Sequence, residues 1–127
     1  MTPPPRPTPA ELEILNVLWE RGPSTVREVQ DALGPARGAG YTTVLKILQI
    51  MADKGLVNRD ESARAHVYAA GAPEAQTQRQ LVRDLVDRAF GGSAAKLVLQ
   101  ALSGRRASPE EIERIRRLLD EIEGGKR

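Results

Sequence analysis

At 127 residues, with 19 basic and 17 acidic groups and a formal net charge of +2, the chain has room for one domain, or one small domain with a satellite. It has no cysteine, which excludes disulfides and thiolate metal sites and makes a reducing cytoplasm the natural compartment. One Trp, one Phe and two Tyr leave the core to Leu, Ile, Val and Ala, and no stretch reaches the ~18 apolar residues that cross a bilayer.

Charge alone does not indicate nucleic acid. Residues 1–71 hold eight Lys/Arg and eight Asp/Glu, which cancel. A mild positive lobe is expected over residues 37–66, from Arg37, Lys46, Lys54, Arg59 and Arg64.

Residues 1–8 read as a flexible, partly polyproline arm and not as a signal peptide. Thr8-Pro9-Ala10-Glu11 is a capping box that opens a first helix bearing Leu12, Leu15, Leu18 and Trp19. Gly22-Pro23 ends it. Thr25, with Glu28 three residues on, caps a second helix with Val26, Val29 and Leu33 on its apolar face. Gly34-Pro35 breaks that helix, and residues 36–40 form a loop. A third helix is predicted from Tyr41 to Lys54, with Gly55 as its stop.

Two short extended runs follow, Leu56 to Arg59 and Ala65 to Ala69, joined by a turn over Asp60 to Arg64. Gly71 to Pro73 reads as a domain boundary. Beyond it lie a helix from Glu74 to Phe90, a break at Gly91-Gly92, a short helix capped by Ser93, and a last helix opened by the box Ser108-Pro109-Glu110-Glu111. The order predicts a mainly α fold with a small β-hairpin wing. Residues 9–71 form a winged helix-turn-helix, and 72–127 a three-helix dimerisation region.

Function enters through the third helix. With Thr42 set at zero, Lys46, Gln49 and Asp53 fall within about 40° of it, while Val44, Ile47, Leu48 and Met51 cluster opposite. Amphipathic helices are common. What points to DNA is the place of this one, after a short helix and before a hairpin. The expected contacts are Tyr41, Thr42, Thr43, Leu45, Lys46 and Gln49 on the recognition helix, with Leu45 suited to a thymine methyl. Ser24, Thr25 and Arg27 at the start of the preceding helix, and Arg59, Arg64 and His66 in the wing, are expected at phosphate or the minor groove. His66 is the sole histidine, so neither a metal nor a cofactor is expected. No nucleophile-base pair or phosphate loop suggests an enzyme.

In the tail, Leu81, Leu85, Phe90, Leu97, Val98, Leu102, Ile112, Ile115, Leu119 and Ile122 lie on apolar faces too sparse for a separate core. Full burial of such a side chain is worth about 1.5–3 kcal/mol, which a second tail would supply. A homodimer is therefore expected, the alternative being a tail folded back on its own winged domain.

An ordered set of segments also carries a family likeness. Ala10-Glu11-Leu12-Glu13-Ile14-Leu15 with Leu18-Trp19, Thr25-Val26-Arg27-Glu28-Val29, Tyr41-Thr42-Thr43-Val44, Lys54-Gly55-Leu56-Val57 and Arg64-Ala65-His66-Val67-Tyr68 resemble the penicillinase repressor family, which includes methicillin-resistance and copper-responsive repressors. The resemblance implies a cytoplasmic homodimeric repressor on an inverted-repeat operator, with β-lactam or cell-wall stress as its setting. It also implies a membrane-bound sensor peptidase as partner, since some relatives are inactivated by cutting at an Asn-Phe bond. The matching positions here are Gln100 and Ala101. The cysteine ligands of the copper branch are absent, Ile50 stands where many relatives carry arginine, and the wing turn near Ala63 lacks the usual glycine. A competing reading, favoured by the cancelled charge of residues 1–71, is a winged-helix protein-interaction module without specific DNA binding.

Overall fold

The computed structural model describes residues 6–34 and 38–125. Most of the proline-rich arm, and Arg37 of the expected positive lobe, lie outside the described residues. The elements run α1 (Pro9–Arg21), β1 (Ser24–Thr25), α2 (Val26–Leu33), α3 (Tyr41–Lys54), β2 (Val57–Asp60), β3 (Val67–Ala70), α4 (Glu74–Ala89), α5 (Ala94–Gly104) and α6 (Pro109–Gly124).

Local chemistry sets the helix ends. Thr8, Thr25 and Ser108 each close a full capping box, with Glu11, Glu28 and Glu111 reaching back to the cap amide. Gly55 ends α3 in the left-handed region at φ 82°, where a side chain would be strained. The expected hairpin is present, with β2 and β3 displaced by one or two residues from their predicted positions. The sheet has a third strand that periodicity did not foretell. Ser24 and Thr25 pair with Tyr68 and Val67, so the antiparallel order is β1-β3-β2. Two residues are too few to carry an alternating pattern.

The chain divides into two compact units, one running through Val82 and the other starting at Arg83. The first has a fully buried core of Ile14, Leu15 and Leu18 from α1, Val26 and Val29 from α2, Val44, Leu48 and Met51 from α3, and Leu56, Val57 and Tyr68 from the loop and sheet. The apolar side of α3 is thus pinned against α1, α2 and the sheet. Contacts carry this unit past Gly71. The Trp19 indole donates to the Ala72 carbonyl at 3.0 Å. Gln76, Thr77, Gln80 and Leu81 of α4 line a shallow cavity with Gly55 and Leu56.

An ion pair ties the start of α1 to the end of α3. The Glu11 carboxylate is buried, at 3% exposure. It accepts from the Thr8 amide at 2.9 Å and from Lys54 Nζ at 3.1 and 2.8 Å. Burial alone would push its pKa up. The Lys54 hydrogen bond, the Thr8 amide and the Lys54 charge outweigh that and hold the pKa below the ordinary 4.5. Lys54 therefore belongs to the scaffold and not to the positive lobe.

The second unit is built differently. No described residue from Arg83 onwards is buried, although its helices carry clear apolar faces. Leu85, Val98, Leu99, Leu102, Leu118, Leu119 and Ile122 are between 40% and 63% exposed. Phe90, Leu97, Ile112 and Ile115 are half-buried.

Two outcomes follow for stability. Lys54→Met leaves a buried carboxylate without its cation and should cost about 2 kcal/mol at neutral pH by urea denaturation. Because the folded pKa of Glu11 is depressed, its contribution is present above the unfolded value and lost as pH falls through the folded one. Stability should thus decline more steeply on acidification below about pH 4.5 in the parent than in Lys54→Met. Separately, a Cβ on Gly71 would meet the Gly55 carbonyl oxygen at 2.7 Å and that of Leu56 at 3.0 Å. Gly71→Ala should lower the urea midpoint, by about 1–3 kcal/mol in free energy.

Candidate nucleic-acid interface

The interface is built from the start of α2, the outer side of α3 and the wing. Thr25 fixes the first part. Its hydroxyl accepts from the Glu28 amide at 3.2 Å, and its own amide donates to Glu28 Oε1 at 2.8 Å. That amide, more than the Thr25 hydroxyl or Arg21, holds the Glu28 pKa down. Thr25 thus keeps only its hydroxyl proton for an outside acceptor.

Arg27 leaves the first turn of α2 and lies over the Tyr41 ring, with 5.7 Å from Cζ to the centroid. The stack links the beginnings of α2 and α3. Below it opens a cleft of about 450 Å³ between α3 and the wing. Thr25, Arg27, Tyr41, Leu45, Gln49, Arg64 and His66, all expected on sequence grounds, line it together with Val26, Ala65 and Tyr68. Two guanidiniums and one imidazole thus face one concavity, and among the described residues no carboxylate lines it. This concentrates positive potential that the overall charge conceals.

Thr42, Thr43 and Lys46 lie beside the cleft, exposed along the outer side of α3. Gln49 and Asp53 continue that strip. This is the geometry of a helix free to enter a groove, since its opposite side is committed to the core.

Two expected residues stand elsewhere. Ser24 is buried at 1% exposure, and its hydroxyl donates to the Gly22 carbonyl at 2.9 Å. It belongs to β1, so its side chain is neither a helix cap nor a surface contact. Arg59 points from β2 to Glu61 at 2.7 Å and does not line the cleft. Alternation along an extended segment brings residues two apart to the same side, so this pairing was legible. Leu45 lines the cleft and also packs against the core.

The wing turn forms without glycine. The Asp60 carboxylate accepts from the Ser62 amide at 2.9 Å, an Asx turn. No described non-glycine residue has positive φ. Missed by sequence reasoning were Val26 and Tyr68, which floor the cleft and carry no polar signature in a linear reading, and Ala65, which is simply small.

The candidate cleavage position is exposed but helical. Gln100 and Ala101 sit inside α5, so a peptidase would have to unwind that helix to reach the bond between them. Among the described residues no group of three or more His, Asp or Glu could hold a metal ion. None of the described helices is long and apolar enough to cross a membrane.

Comparison with known proteins gives this geometry its context. The penicillinase repressor profile matches residues 7–121. The chain belongs to the penicillinase repressor family. It is 34% identical over 116 residues to the transcriptional regulator BlaI of Mycobacterium tuberculosis, covering 91% of this chain and 83% of that one. It is 25% identical over 123 residues to the penicillinase repressor of Bacillus licheniformis, covering 97% and 96%. The solution structure of the DNA-binding domain of the repressor BlaI is also similar. It has a TM-score of 0.51 and 27% identity, and it covers 59% of this chain and 92% of that domain. The winged-helix arrangement seen here matches the fold of that domain.

Proposed function

We propose that the chain is a sequence-specific DNA-binding transcriptional repressor. It acts as a homodimer on an inverted-repeat operator in a β-lactam or cell-wall stress response. The observation that carries the reading is the pairing of an outward polar strip on α3 with an adjoining cleft lined by Arg27, Arg64 and His66 and, among the described residues, by no carboxylate. A helix with short polar side chains fits the major groove, and the flanking guanidinium and imidazole donors suit the phosphates beside it. The names of the similar proteins, a transcriptional regulator and a penicillinase repressor, agree with it.

In this reading, Tyr41, Thr42, Thr43, Lys46 and Gln49 meet DNA from α3. Thr25 and Arg27 hold a phosphate at the start of α2, where helix dipole and cap coincide. Arg64 and His66 hold another from the wing. Arg59, already paired with Glu61, contributes less.

Dimerisation is assigned to residues 72–127. Its support is the second unit's apolar side chains, which the single chain leaves exposed. Such an extent of exposed apolar surface marks an interaction site. Two linked winged domains would raise occupancy through effective concentration and match a two-fold operator. Cutting at Gln100–Ala101 by a sensor peptidase would split that region and release residues 101–127.

Two measurements test this. Binding of selected duplex DNA should weaken steeply with salt, and Lys46→Ala and Arg64→Ala should each reduce the log–log slope by about 1 per protomer, with Arg59→Ala reducing it less. A protein-interaction module, which the charge balance of residues 1–71 would also suit, predicts no sequence-preferring duplex affinity. For the dimer, Leu119→Asp should shift light scattering from dimer to monomer at micromolar concentration and weaken operator binding by at least tenfold. Monomeric parent protein in the same assay would refute the assignment.

A further inference from the structure

Ile50 is a large apolar side chain that the core leaves outside. It is 41% exposed, whereas Leu45, Ile47 and Ala52 of the same helix pack against the core cluster. Along α3 it falls about 20° from Thr43 and about 40° from Lys46. It therefore stands within the exposed polar strip, one helical turn after Lys46. Folding gives no reason for it there. Burial contributes little, and isoleucine propagates a helix less well than the lysine and glutamine beside it. Tyr41, the other exposed large apolar residue of α3, is engaged under Arg27.

A branched hydrocarbon in a polar strip has one apolar counterpart on the edges of base pairs in the major groove, the C5-methyl of thymine. The residue first suited to that contact, Leu45, is drawn toward the core and the cleft. We propose that Ile50 is a specificity-determining residue that packs on a thymine methyl, so that each half-site bound by this chain carries a T·A pair facing the third turn of α3. The proposal rests on the reading of α3 as the DNA-contacting helix.

The test uses the full chain and a random duplex pool. Duplexes enriched by selection are remade with each thymine in turn replaced by deoxyuridine, which removes only the methyl. Parent binding, followed by fluorescence anisotropy, should weaken about fourfold at one thymine per half-site, the value of one buried methyl-sized group. Ile50→Ala should bind the thymine and uracil duplexes equally at that position. Ile50→Leu, which restores an apolar contact at an exposed site, should keep the discrimination. A flat uracil scan in the parent overturns the proposal while leaving DNA recognition intact, and so does a penalty that persists in Ile50→Ala. A pool with no enriched sequence overturns the DNA-binding reading and this proposal together.

Discussion

The ion pair between buried Glu11 and half-buried Lys54 fixes α3 at its far end. One carboxylate closes the cap of α1 and grips the last turn of α3. Val44, Leu48 and Met51 hold the same helix along its length. An outward strip of side chains keeps a fixed orientation only if its helix cannot roll. Here apolar packing sets the depth of α3, and the ion pair sets its end. Removal of Lys54 would leave the desolvated Glu11 carboxylate without its cation, whereas Lys54 itself keeps some contact with solvent.

That clamp also decides how charge is distributed. Arg21, Lys54 and Arg59 are each paired with a carboxylate, those of Glu28, Glu11 and Glu61. Arg27, Arg64 and His66 are gathered into a cleft that no carboxylate lines among the described residues. The winged unit therefore presents a local positive surface although its first 71 residues have equal numbers of basic and acidic groups. Net charge averages over the whole surface, whereas a polyanion meets only one side of it.

The two units follow opposite economies. In the first, helices and sheet bury a full set of side chains. In the second, amphipathic helices end with their apolar faces half in water. The first unit therefore completes its own core, whereas the second leaves its apolar surface unsatisfied within the single chain.

Much of this was legible in the linear chain. The three capping boxes, the glycine stops and the helical spacing of Leu, Ile and Val encode α1 to α6 through contacts within a few residues. The strip Thr42, Thr43, Lys46 and Gln49 follows from the 100° advance per residue alone. The β1 strand, the burial of Ser24 and Glu11, the withdrawal of Lys54 from the surface and the cleft floored by Val26 and Tyr68 depend on residues about 40 positions apart, as Ser24 and Tyr68 or Glu11 and Lys54 are. Local propensity determines which segments are helices and which side of each is apolar. Only the tertiary structure decides which polar groups are consumed in holding those segments together and which are left to face a partner, because burial and ion pairing arise between segments that the sequence does not place side by side.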